Sequence, residues 1–143
     1  MLVGALSALP AAVRAQNAVP ARVSIILATE LPGVIDPRIA DIPALRRPPF
    51  DRYSSMTLLS SPEVRLQPGQ PQVVDLPNGR RLRLELQERT EEGRYRLQVS
   101  VNRPGEQDYL PAMRFVAAPG SPIFIAGQSF QAGTLVIGIQ LAR

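Results

Sequence analysis

One stretch, GRRLRLELQERTEEGRYRLQVSV from Gly79 to Val101, holds a crowd of arginines. A guanidinium is planar and presents paired N–H donors, so arginines on one face suit phosphate, sulfate or carboxylate groups. Arg81, Arg83, Arg89, Arg94 and Arg96 are therefore the candidate anion or partner face. Tyr53, Tyr109 and Phe130 are the candidate loop aromatics that a sugar ring would stack on, although each equally suits a core or strand-end position. The arginine stretch also alternates leucine with charge, which is what the wet side of a β-hairpin requires with no ligand at all.

The residue types absent from the sequence exclude more than those present suggest. Of 143 residues, 16 are basic and all of these are Arg; there is no His, Cys or Trp. Ser-His and Cys-His nucleophile pairs, ordinary zinc or haem ligation and Schiff-base chemistry are thereby removed. Ser54, Ser55, Ser60 and Ser61 have no imidazole or amine base. A glycosidase pair needs two acids about 5 to 9 Å apart in a cleft. Glu91 and Glu92 instead read as an exposed turn, Asp36 and Asp41 as helix caps, and Asp51, Asp75 and Asp108 lack the spacing of a calcium loop. The expectation is a non-enzymatic protein with no catalytic, metal or cofactor site. Arginine without lysine is also what a GC-rich genome produces, with no binding function implied.

The first residues, MLVGALSALPAAVRAQ, are apolar from Leu2 to Val13 and end in Val13-Arg14-Ala15, a small-x-small pattern suited to cleavage after Ala15. The run is too short to span a bilayer and has the length of an export-signal core. No basic residue precedes it, which points to a start codon assigned too late; an uncleaved first helix is the competing reading, opposed by Pro10. Residues 1–15 read as a signal-like segment, 16–20 as a linker and 21–143 as one domain. After signal removal no transmembrane segment is expected.

The elements that must position the arginines are strands. ARVSIILATE (Ala21 to Glu30) is a β-branched apolar run fit for a buried strand. IDPRIADIPALRRPP comes next, with Asp36 before Pro37 and with Ile39, Ile42 and Leu45 in a stripe; Pro43 breaks it, predicting short helical turns over about 36–46. From Tyr53 come RYSSMTLLS, EVRLQ, QVVDL, the two halves of the opening stretch, DYLPAMRFVAAP, IFIAG and TLVIGIQLAR, punctuated by most of the 15 Pro and 10 Gly. Eight to nine short strands at this spacing predict an all-β fold, an antiparallel sandwich or partly open barrel.

In the hairpin, setting Arg89 opposite Arg94 places Leu86 against Leu97, Leu84 against Val99 and Leu82 against Val101 on one side. A one-residue slip would expose every leucine, so the arginines are a consequence of where leucine must go. Their side then carries Arg81, Arg83, Glu85, Gln87, Arg89, Arg94, Arg96 and Gln98, with Tyr95 on the core side. No aromatic interleaves with them, which disfavours a nucleic acid partner. An anionic glycan, a lipid headgroup or an acidic protein patch stays open.

SIILATE, IDPRIADIPALR, PPFDRYSSMTLL, LPNGRRLRLEL and AGQSFQAGTLVIGI, in that order, resemble a group of small exported bacterial β-rich proteins without an assigned function. The resemblance implies an envelope-located accessory or structural domain and carries over no catalytic residue. From the signal-like N-terminus, the strand pattern and the missing catalytic residue types, the expectation is a periplasmic or outer-envelope interaction or assembly module with another envelope protein as partner. The alternative is a module binding a glycan or anionic envelope polymer. In the last strand Leu135, Ile137, Ile139 and Leu141 share one face, and closing its own sheet is favoured over donation to a partner. Deleting Leu135 to Arg143 should therefore prevent folding, and a soluble truncation with a cooperative melt would refute this.

Overall fold

The computed structural model describes residues 18–143, so the signal-like segment 1–15 lies outside the described residues. Among the described residues nine strands form two antiparallel sheets, with no closed barrel. The first sheet holds β1 (Val19–Thr29), β2 (Ser55–Ser60), β3 (Glu63–Leu66), β8 (Ile123–Phe130) and β9 (Gly133–Leu141) in the order β2-β1-β9-β8, with β3 also on β1. The second is the meander β4 (Gln72–Asp75), β5 (Arg81–Arg89), β6 (Tyr95–Val101), β7 (Met113–Ala117). β1 begins at Val19, two residues ahead of the expected Ala21, because Val19 and Pro20 pair with Leu66 and Arg65.

Period-2 alternation builds the main core. Val23 and Ile25 of β1 and Leu135, Ile137, Ile139 and Leu141 of β9 face Leu82, Leu84, Leu86, Leu97 and Val99 of the second sheet. Burying one such aliphatic side chain is worth roughly 1.5–3 kcal/mol, and a whole layer of them offsets the entropy of ordering the strands.

The unbroken apolar run in β1 has a second cause. Ile26, Ala28, Val136 and Met56 form a smaller core on the opposite face of the first sheet. A strap, residues 31–53, covers them with Ile39, Leu45 and Phe50. Gly138 allows this: a Cβ there would stand 2.5 Å from the Phe124 ring, which lies over the strand and meets Phe50 edge-on at 6.0 Å. The helical signal of 36–46 resolves into a hydrogen-bonded turn followed by a 3-10 helix at Pro43–Arg46, and a second 3-10 helix stands at Phe50–Arg52. Proline at 43 has no N–H to donate, so a regular helix does not propagate through this segment.

Ile137 sits at the centre of both β1 and β8 pairing, opposite Ile25 and Ile125, and is 2% exposed. Ile137→Ala should cost about 2–5 kcal/mol in denaturant unfolding with an unchanged slope; a loss under 1 kcal/mol would show that the site collapses around the gap.

Candidate functional site

The hairpin β5–β6 keeps the expected pairs Leu82–Val101, Leu84–Val99 and Leu86–Leu97. The expected pairing of Arg89 with Arg94 does not occur. A β-bulge between Leu86 and Glu88 inserts Gln87, so Glu88 faces Arg96 and Arg89 faces Tyr95. A bulge adds one residue to one strand and re-aims the side chains beyond it. Arg89 thereby leaves the outer face and lies over the Tyr95 ring, 5.4 Å from its centroid, where Tyr95 is core. Arg94 sits outside β6 in the turn, its N–H donating to Thr90 Oγ1 at 3.0 Å.

Arg81, Arg83 and Arg96 remain on the outer face of the second sheet, and they do not form a basic stripe. Asp75 stands opposite Arg81, Glu88 opposite Arg96 and Glu85 opposite Gln98, while Arg114 joins the face from β7. Three carboxylates thus interleave with four guanidinium groups, and the Glu88–Arg96 pair approaches to 3.8 Å. Exposed pairs of this kind contribute a few tenths of a kcal/mol each, but they cancel the field a polyanion would feel.

One aromatic does join this face. Tyr109, half-buried, lies under Arg83 with the guanidinium 5.7 Å from the ring centroid. Its loop is organised by Asn102, a buried polar residue that sequence reasoning missed. Asn102 Nδ2 donates to the Glu106 carbonyl at 2.7 Å, its Oδ1 accepts the Arg81 N–H at 2.6 Å, and its own carbonyl accepts both Nε and Nη2 of Arg80. An asparagine at a strand end ahead of Arg-Pro-Gly was the available signal. Tyr53 lies instead against the strap core, on the far side of the first sheet, and Phe130 packs against the main core at the end of β8. The three aromatics are therefore not brought together into a stacking platform.

The most strongly organised ion pair lies in the strap. Asp36 Oδ1 accepts the Arg38 N–H at 3.0 Å, and Oδ2 accepts Arg38 Nη2 at 2.6 Å and the Leu58 N–H at 3.1 Å. Arg38 Nη2 also donates to the Leu58 carbonyl. With the Met56 N–H on the Val34 carbonyl and the Asp36 N–H on the Met56 carbonyl, the segment 34–38 occupies the outer edge of β2 in place of another strand. The Arg38 hydrogen bonds hold the Asp36 carboxyl well below the usual carboxylate range, and Arg38 is correspondingly raised. Asp36 thus ties down an edge, where the sequence had suggested a helix cap. Asp41 lies at the end of the turn that precedes Pro43–Arg46. At the other end of the strap Arg52 Nη2 donates to the Tyr53 hydroxyl at 3.2 Å, which raises Arg52.

Recesses are shallow. One, about 560 Å³, lies on the outer face beside β7, bounded by Glu88, Arg96, Gln98, Arg114 and Val116 among others. A smaller apolar one, about 270 Å³, lies between strap and β2 and includes Ile39, Leu45, Tyr53 and Met56. Among the described residues no group of three or more His, Cys, Asp or Glu is placed to hold a metal ion, and no helix is long and apolar enough to cross a membrane.

The fold defines the class: an all-β antiparallel sandwich with short 3-10 turns. No protein-family model, curated protein or solved structure matches the chain.

A carboxyl held below its ordinary pKa stabilises the fold above that ordinary value, and the contribution disappears as pH falls through the folded value. Asp36→Asn should lower the melting temperature at neutral pH, with the gap from wild type closing on acidification below about pH 4. A gap constant down to about pH 2 would mean that the Asp36 charge plays no part in holding the strap.

Proposed function

We propose that the chain is an exported, non-enzymatic interaction or assembly module of the bacterial cell envelope, whose partner is another envelope protein. One observation carries this reading: the second sheet ends in β7, an edge whose Met113 and Val116 are 38% and 48% exposed and which no other element covers among the described residues. Unpaired edges template the pairing of other chains, and proteins ordinarily blunt them. Elsewhere this one does so. The strap covers β2; β3 and β4 are four residues each, flanked by Pro62 and Pro68 and by Pro71 and Pro77; β8 carries a bulge at Gly127, with φ +131°. β7, five residues between Pro111 and Pro119, has neither a covering segment nor a bulge among the described residues, and this supports a role in association.

The alternative, a binding module for a glycan or anionic envelope polymer, has less support, because Asp75, Glu85 and Glu88 interleave with the arginines it would use. The two readings separate in a cross-linking and pull-down of the mature chain from an envelope fraction, tagged after Ala15, with and without Arg81, Arg83 and Arg96 changed to Glu. A defined protein partner that survives charge reversal is the expected result. Envelope association without a protein partner, lost in the variant or at high salt, would move the assignment to polyanion binding.

A further inference from the structure

The outward groups of β7 can be identified from the ladder. The Asn102 N–H donates to the Arg81 carbonyl at 3.3 Å, so even-numbered residues of β6 turn their main chain toward β5. Odd-numbered ones turn toward β7, and the Leu110 N–H on the Val101 carbonyl agrees. Met113, Phe115 and Ala117, paired with Val99, Leu97 and Tyr95, therefore bond to β6. Arg114 and Val116 are left with N–H and C=O aimed away from the sheet, with no backbone partner among the described residues.

The side chains along that edge differ by face. On the core side an added strand would continue the row of Met113 and half-buried Phe115. On the outer side the two strands nearest the edge carry Arg96, Gln98, Ser100, Arg114 and Val116, with no carboxylate; the acids are confined to β4 and β5. Arg96 is engaged by Glu88, whereas Arg114 has no carboxylate within 4.0 Å among the described residues. Directly opposed cross-strand charges attract when unlike and repel when like. A second copy pairing through β7 would bring another Arg114 and no acid to this face.

Resting on the interaction reading above, we infer that β7 accepts an extended segment of a partner protein as an added strand, one alternating apolar side chains toward the core with acidic side chains toward Arg114. Main-chain bonds to Arg114 and Val116 give the pairing, and the alternation gives the choice of segment.

The probe is a blocked, labelled heptapeptide of alternating valine and glutamate, set against its valine–arginine counterpart and followed by fluorescence anisotropy on the full mature chain. Val116→Pro removes one outward N–H while leaving the β6 bonds in place, a substitution edge strands tolerate. Saturable binding of the acidic peptide, weakened at least about tenfold by Val116→Pro, is expected, since main-chain pairing supplies the affinity in strand addition. Arg114→Glu should reverse the preference between the two peptides, and it carries the test if the proline variant does not fold. Absence of binding to the wild type, or an unchanged preference in Arg114→Glu, overturns the inference. So does self-association of the wild type that Val116→Pro abolishes, which would make a second copy the occupant. A protein partner captured equally by wild type and folded Val116→Pro leaves the interaction role standing and removes β7 from it; no partner for either removes the role itself.

Discussion

The pairing of β1 with β9 is the contact on which the rest of the molecule depends. Ala21 through Ala28 run antiparallel to Leu141 through Thr134, and these two strands carry apolar side chains on both faces. A sheet centre that is apolar on both sides must be covered on both. One side is met by the second sheet, and the other by the strap with Ile39, Leu45 and Phe50. The strands that pair here are the first and last among the described residues, so the meander β4–β7 lies in the chain between elements that pair with each other. Contacts of such long sequence separation form late and at a high cost in loop entropy. The turns within the meander are, by contrast, short and local: Gly93 closes the β5–β6 loop with its N–H on the Thr90 carbonyl at 2.9 Å.

Once the strap is required by the second core, it takes on a further duty. Chain that crosses the face of the first sheet must pass its rim, and it does so along β2, where Val34, Asp36 and Arg38 satisfy the main-chain groups of Met56 and Leu58. The Asp36 carboxylate accepts where a neighbouring strand would offer a carbonyl, and the Arg38 guanidinium donates where one would offer an N–H. The side-chain pair therefore imitates strand pairing and leaves no addressable edge there. An aspartate seven residues after the end of β1 thus serves tertiary packing, although its local setting before Pro37 is that of a helix start.

That difference shows what was legible in the residues. Strand number, the shared face of Leu135, Ile137, Ile139 and Leu141, and the three leucine–valine or leucine–leucine pairs of the hairpin all stem from period-2 burial, and burial is a property each strand declares locally. The bulge at Gln87 is invisible to that reasoning, because either residue count around the turn satisfies the leucines. It moves Arg89 across the sheet and so breaks the five-arginine face that alternation implied. Asp75, drawn beside Arg81 by β4, and Tyr109, folded under Arg83 by Asn102, are likewise products of pairing between segments, which no single segment announces. The candidate aromatics Tyr53 and Phe130 were drawn into packing for the same reason.

These rearrangements bear on β7 itself. With Arg89 moved to the other side of the sheet, where it stays exposed, and Asp75, Glu85 and Glu88 set among Arg81, Arg83 and Arg96, the middle of the outer face is close to electrically balanced. Arg114 stands at the rim with no carboxylate within 4.0 Å among the described residues, on an edge that neither a bulge nor a covering segment protects there. A charge on an edge strand is a common guard against like chains, since each copy brings the same sign to the same place. The same guard becomes an attraction for a strand of opposite sign. Arg114 would therefore both disfavour pairing of two copies through β7 and favour the acidic segment inferred above, with no second device required for specificity.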